Sequence, residues 1–228
     1  MKNLILRNTP EIADAFELRT VDCVDGKNTF EVFCEDGKII ICGDCKISQA
    51  MGYYEYLKTY CGVNISHCGN REINVSSAPL FEGRLSKVIP QKKRAYLNYC
   101  TFGYSFAFWK WDKWEKEIDF MAMNGINMPL SVVGTEAVWY YTLRDFTYSE
   151  TGAMQYLTGP GFWPWQLMTN ITGYFSLTDV KYIESRLELG KKIIDREVEL
   201  GMTPIQQGYT GSVPQSVTKL FKKARLRL

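Results

Sequence analysis

Met123-Asn124-Gly125-Ile126-Asn127-Met128-Pro129-Leu130-Ser131-Val132-Val133-Gly134-Thr135-Glu136 is the stretch on which the fold turns. Asn124-Gly125 is a helix stop, 126–133 is an apolar run of buried-strand length, and Gly134 ends it just before the chain re-enters helix at Glu136. Upstream, Trp114, Ile118 and Met121 recur at helical spacing and predict a helix over 111–123, preceded by a β-like run at 94–99. Downstream, 136–143 reads as helix, a long helix runs from about Thr178 to Leu200, and 203–207 supplies a third strand. Strands alternating with helices imply α/β class with a parallel sheet or a (β/α) barrel, whose functional residues gather at the C-terminal strand ends. That rule selects Asn98-Cys100, Gly134-Glu136 and Gln206-Tyr209.

The region before this pattern is different. Residues 1–75 read as a small α/β unit: a helix start at Thr9-Pro10-Glu11, a hairpin of 28–34 and 38–42 turned at Asp36-Gly37, a helix from Ile47 to a Gly62 cap, and a final short strand. Residues 76–93 carry Ser76, Ser77, Pro79, Gly83 and Pro90 and read as a linker, leaving 94–228 as a second domain. The 159–165 stretch, Gly159-Pro160-Gly161-Phe162-Trp163-Pro164-Trp165, reads as a rigid aromatic loop.

Composition narrows the function. At 228 residues, 46% apolar and 14% aromatic, the chain has a core to bury and is not disordered. Lys+Arg 27 against Asp+Glu 25 is too balanced for a dedicated nucleic-acid binder. No apolar run approaches bilayer length, and the start at Met1-Lys2-Asn3-Leu4-Ile5-Leu6-Arg7 breaks off before a signal-peptide core forms. Cys42-x-x-Cys45 with Cys61 and His67-Cys68 invites a zinc reading, but Cys61 and Cys68 lack knuckle spacing and Cys42 sits in a strand, so no metal is expected. No glycine-rich phosphate loop is present and no cofactor is implied.

Six Trp, 14 Tyr and 12 Phe exceed what such a core requires, and flat apolar rings with polar edges suit sugars or protein surfaces. Asn98 offers an amide to vicinal hydroxyls at a strand end. Glu136, just past a buried strand, is placed for a raised pKa or for simple dipole stabilisation of its helix. One carboxylate does not make a hydrolase, because glycosidic hydrolysis needs a flanking pair.

Asn98-Tyr99-Cys100-Thr101 with Tyr104-Ser105-Phe106, residues 114–127 (WEKEIDFMAMNGIN), Gly134-Thr135-Glu136-Ala137-Val138-Trp139 and Thr158-Gly159-Pro160-Gly161-Phe162-Trp163-Pro164-Trp165 together resemble the α-N-acetylglucosaminidases of glycoside hydrolase family 89. The match continues in order through Gly201-Met202-Thr203-Pro204 to Gly211-Ser212-Val213-Pro214. The resemblance implies a small α/β N-terminal domain followed by an incomplete (β/α)8 TIM-type barrel holding about three of its eight strands. It implies exo-acting, retaining removal of terminal α-linked N-acetylglucosamine from glycans, without metal or cofactor. Asn98, Cys100 and Trp165 match positions lining the sugar pocket, and Glu136 matches a motif glutamate of pocket or scaffold. Phe102 and Thr135 depart from the Gln that many relatives carry. The family's two catalytic glutamates lie on later barrel strands, so this chain is expected to hold no catalytic residue, to be inactive alone and to expose edge strands. The other expectation is a noncatalytic carbohydrate-binding or interaction module. Relatives are lysosomal, periplasmic or extracellular.

Overall fold

The computed structural model describes residues 1–228 except Cys68, Asn70, Arg71, Thr178, Tyr209, Thr210, Ala224 and 226–228. In chain order the elements are α1 (Lys2–Asn8), a 3-10 helix (Pro10–Ala15), β1 (Phe16–Thr20), β2 (Thr29–Glu35), β3 (Lys38–Gly43), α2 (Lys46–Cys61), β4 (Arg84–Val88) and β5 (Ala95–Tyr96). They continue with α3 (Tyr99–Gly103), α4 (Trp111–Met123), β6 (Met128–Pro129), α5 (Thr135–Asp145), α6 (Glu150–Tyr156), a 3-10 turn (Pro160–Phe162), α7 (Trp163–Leu167), α8 (Val180–Glu199) and α9 (Val217–Leu220). Two compact units result. One comprises Met1–Tyr96, Lys110–Leu130 and Lys192–Ile205; the other comprises Leu97–Trp109, Ser131–Lys191 and Gln206–Leu228.

The first unit is built on a four-stranded sheet of order β1-β3-β2-β4. Asp36 and Gly37 take φ 49° and 74°, so the Asp-Gly hairpin joins β2 to β3 as the sequence implies. Ile39, Ile40 and Ile41 are buried because β3 is central, flanked by β2 and by the parallel β1. Helix α2 lies against this sheet. A Cβ on its Gly52 would sit 3.2 Å from Ile41 and from Val32, a separation that lets helix backbone approach strand side chains closely. Gly62 at φ 66° caps the helix as expected.

Several elements differ from the reading of the sequence. The first helix is Lys2–Asn8, ahead of the Thr9-Pro10 signal, which instead opens a 3-10 helix. Strand β4, within the stretch read as a linker, pairs antiparallel with β2. Its Arg84 and Lys87 mark it as an edge strand, the position where charged residues are tolerated and hydrophobic alternation is weakest. No strand forms among the described residues between Gly62 and Val75, where a final short strand was expected.

The barrel-type strands in this unit are short. β5 pairs parallel with β6, and Leu130 bridges in parallel to Ile205. The 126–133 run contracts to this core, held by Met128 and Leu130 N–H groups donating to Arg94 and Tyr96 carbonyls while Asn127 and Pro129 carbonyls accept from Thr203 and Ile205. Pro129 lacks the donor that would extend the ladder toward Ile205. Neighbouring strands follow chain order and all run parallel, with no closure among the described residues, so the barrel is incomplete.

The second unit is helical. Its core draws on Phe102, Phe106, Ala137, Leu143, Trp163 and Ile183, all buried. Ser149 caps α6, accepting from the Gly152 N–H at 3.0 Å. Residues 159–165 are not a loop: Pro160 and Pro164 each stand in the first turn of a short helix, where a missing N–H costs nothing. In this unit α8 buries Ile183, Arg186 and Gly190 in a three-four spacing, the apolar stripe of an amphipathic helix with a guanidinium set into it. Among the described residues no helix is long and apolar enough to cross a membrane.

Candidate active site wall

After β5 the chain turns at Leu97, whose φ of 79° is costly for a residue with a bulky side chain. Asn98 then caps α3: its Oδ1 accepts from the Thr101 N–H at 3.1 Å and from the Thr101 hydroxyl at 3.0 Å. Asn98 is exposed, and its Nδ2 has no hydrogen-bond partner among the described residues. Cys100, in the same helix turn, is a half-buried free thiol.

Trp165 comes from α7. It stands edge-to-face on Tyr104 with ring centroids 5.3 Å apart. The α3 backbone at Gly103 closely meets the side chains of Trp165 and Pro164 on α7 and the backbone of the preceding 3-10 turn. A Cβ on Gly103 would lie 2.5 Å from the Trp165 ring and 2.7 Å from the Gly161 carbonyl oxygen, so only glycine fits there. Tyr104 is 70% exposed, leaving an aromatic face on this helix pair. The structure therefore brings Asn98, Cys100 and Trp165 onto two touching helices.

Glu136 is placed otherwise. It is 3% exposed, at the start of α5, and its Oε2 accepts from the Gly134 N–H at 2.9 Å while Oε1 lies 3.6 Å from Arg186 Nε. Its carboxyl is raised above the ordinary value because burial outweighs the opposing Arg186 charge and the Gly134 N–H. Tyr182, also against this pair, is pushed up to about 12 by burial. Glu136 is thus a carboxyl enclosed by protein. Arg186 and Gly103 are not singled out by the sequence, and Trp163 stands there only as one member of the 159–165 aromatic stretch. Arg186 had a signal, a charge at the third position after Ile183 on the apolar stripe of α8.

The model of the alpha-N-acetylglucosaminidase (NAGLU) TIM-barrel domain matches residues 94–227, and that of the NAGLU N-terminal domain matches residues 1–80. The chain belongs to the α-N-acetylglucosaminidase family. Human α-N-acetylglucosaminidase is 31% identical over 189 residues, which cover 83% of this chain and 25% of the human protein. A family 89 glycoside hydrolase from Clostridium perfringens, in complex with PUGNAc, superposes with a TM-score of 0.92 at 35% identity over 98% of this chain and 26% of that one. A variant of the Clostridium perfringens enzyme with two glutamates changed to glutamine, in complex with its substrate GlcNAc-α-1,4-galactose, matches with a TM-score of 0.90 at 35% identity, covering 97% of this chain and 25% of that one. The chain spans about a quarter of the length of these α-N-acetylglucosaminidase relatives.

This α-N-acetylglucosaminidase-family chain also has an apolar groove of about 610 Å³ lined by Val138, Trp139, Phe146, Leu167, Gln207 and Pro214. The groove is distinct in character from the α3–α7 face, which carries Asn98 and Cys100. Cys23, Cys34, Cys42, Cys45, Cys61 and Cys100 are free, and Cys68 lies outside the described residues, as do Thr178 and Tyr209.

The raised Glu136 carboxyl has a measurable consequence in this family member. The folded chain retains the proton to higher pH than the unfolded chain, so acidification through that window stabilises the fold and raising the pH removes the stabilisation. One proton gives a slope of at most about 1.4 kcal/mol per pH unit. Denaturation midpoints measured upward from pH 4.5, the ordinary value, are expected to fall with pH in the wild type and to fall less steeply in Glu136→Gln, where the raised Asp119 carboxyl remains. An identical slope in both proteins contradicts the assignment.

Proposed function

We propose that this chain forms part of the wall of a pocket for terminal α-linked N-acetylglucosamine, with Asn98, Cys100 and Trp165 toward the sugar and Glu136 supporting the wall from behind. The observation that carries this reading is the close approach of α3 and α7 at Gly103, which sets an exposed amide donor, a thiol and an indole on one pair of helices. An indole ring suits the apolar C–H face of a pyranose, and an amide donor suits its hydroxyls. The reaction served is exo-acting, retaining hydrolysis, and the ligand is a glycan ending in N-acetylglucosamine.

Retention needs two carboxyl groups about 5–5.5 Å apart, one as nucleophile and one as acid and base. Glu136 is unsuited to either role because its oxygens are enclosed, one accepting from the Gly134 N–H and the other facing the buried Arg186 guanidinium. We assign the pair to polypeptide outside these 228 residues. The relative that holds its substrate with two glutamates replaced by glutamine is in keeping with a two-glutamate mechanism. Titrating the 15N-labelled chain with N-acetylglucosamine tests the wall: the Trp165 indole resonance is expected to move and saturate, and galactose is expected to leave it in place. A Trp165 resonance unmoved by saturating N-acetylglucosamine overturns the reading.

A further inference from the structure

We infer that Glu136 and Arg186 are positioning residues, a buried anchor that fixes the orientation of Trp165 through Thr135 and Trp163. The functional meaning rests on Trp165 being a sugar wall; the connection between these residues does not.

The anchor holds one turn. Glu136 and Arg186 are 3% and 8% exposed, and the carboxylate accepts from the Gly134 N–H while its other oxygen faces Arg186 Nε as an ion pair at 3.6 Å. Gly134 is at φ 88°, and a Cβ there would lie 2.9 Å from the Arg186 carbonyl oxygen. From the other side, a Cβ on Gly190 would lie 2.2 Å from the Val133 carbonyl oxygen. The Val133-Gly134 turn is therefore pressed onto α8 at two glycines and pinned by the ion pair.

Thr135 passes this position on. Its hydroxyl donates to the Val132 carbonyl at 2.7 Å and accepts from the Trp163 Nε1–H at 3.1 Å, so both its hydrogen-bonding roles are used and its rotamer is set. Trp163 is 3% exposed and opens α7. Residues two apart on a helix are separated by roughly 200° around its axis, so a fixed Trp163 inside turns Trp165 outward, to the side where it meets Gly103 and Tyr104. A buried ion pair is a poor source of net stability compared with packed hydrocarbon. On the apolar stripe of α8, where leucine would pack, the pair is accounted for by the geometry it imposes.

Indole N–H resonances of the 15N-labelled 228-residue chain read this directly, assigned by Trp→Phe substitutions. Thr135→Val removes the acceptor with little change of shape and is expected to shift Trp163 and Trp165 by more than a linewidth, while Trp111 and Trp114, in the other compact unit, stay in place. Thr135→Ser is expected to restore both resonances. Glu136→Gln, which sets an amide against the guanidinium, is expected to move the same two, and Arg186→Lys to move them less. If Trp165 keeps its wild-type resonance in Thr135→Val, the inference is overturned, whether or not Glu136→Gln folds. Adding N-acetylglucosamine separates the two claims: a Trp165 that moves in Thr135→Val but does not respond to the sugar in the wild type sinks the pocket reading and leaves the positioning intact.

Discussion

Gly190→Ala is expected to destabilise the helical unit by about 3 kcal/mol, the upper part of the range for overpacking a filled site. Helix propensity argues the opposite sign, since alanine in a helix interior is favoured over glycine by about 1 kcal/mol. Contact decides the matter. The added carbon would sit 2.2 Å from the Val133 carbonyl oxygen and 3.0 Å from its carbon, and both are backbone atoms of the turn that leads into Gly134 and Thr135. They have no rotamer by which to move aside, so α8 must withdraw or the turn must distort. Chemical denaturation followed by tryptophan fluorescence measures the loss. Lys191→Ala, one residue on and exposed, is expected to change stability by less than about 0.5 kcal/mol. A Gly190→Ala protein more stable than wild type would show that the turn is not pressed against α8.

Asp119→Ala is expected to cost about 3 kcal/mol, because it removes the hydrogen-bonded partner of the Arg7 guanidinium and leaves it only the looser contact with Glu115, 3.8 Å away. Arg7 donates to both Asp119 oxygens, at 3.0 and 2.7 Å, and the Asn8 amide adds a third bond at 3.0 Å, tying α1 to α4. Burial nonetheless raises the Asp119 carboxyl, against the lowering by Arg7 and Asn8. The side chain of Asp119 is 4% exposed and that of Arg7 22%, so Arg7 recovers some hydration and the cost falls at the low end for a broken buried pair. Replacing both charges, as Arg7→Met with Asp119→Leu, is expected to recover more than half of the loss. An Asp119→Ala variant within 0.5 kcal/mol of wild type would show that the pair does not hold α1.

The parts legible in the sequence are those where one local signal dominates. Trp114, Ile118 and Met121 marked α4, and Asn124-Gly125 marked its end, because periodicity and stop signal agree. Asp36-Gly37 gave the hairpin by backbone conformation alone. β1 and β4 were missed because their pairing is long-range: Phe16–Thr20 finds its partner beyond residue 38, and Arg84–Val88 is a charged edge strand whose register is set by β2. Helices α3 and α7, five residues each, are too short for periodicity to register. At the site, Asn98, Cys100 and Trp165 were recognisable as motif residues. What a sequence does not carry is that Gly103 is the contact point between their helices, or that the carboxyl of Glu136 turns inward to a guanidinium fifty residues away.

We propose that this chain supplies a sugar wall and not the catalytic pair. Incubating the purified 228-residue polypeptide with an aryl N-acetyl-α-glucosaminide, and following release of the phenol, tests it most directly. The expected result is release no faster than in buffer, from a chain whose Trp165 resonance still responds to N-acetylglucosamine. Turnover that co-purifies with the chain and is lost in Glu136→Gln would contradict it, making Glu136 a catalytic residue.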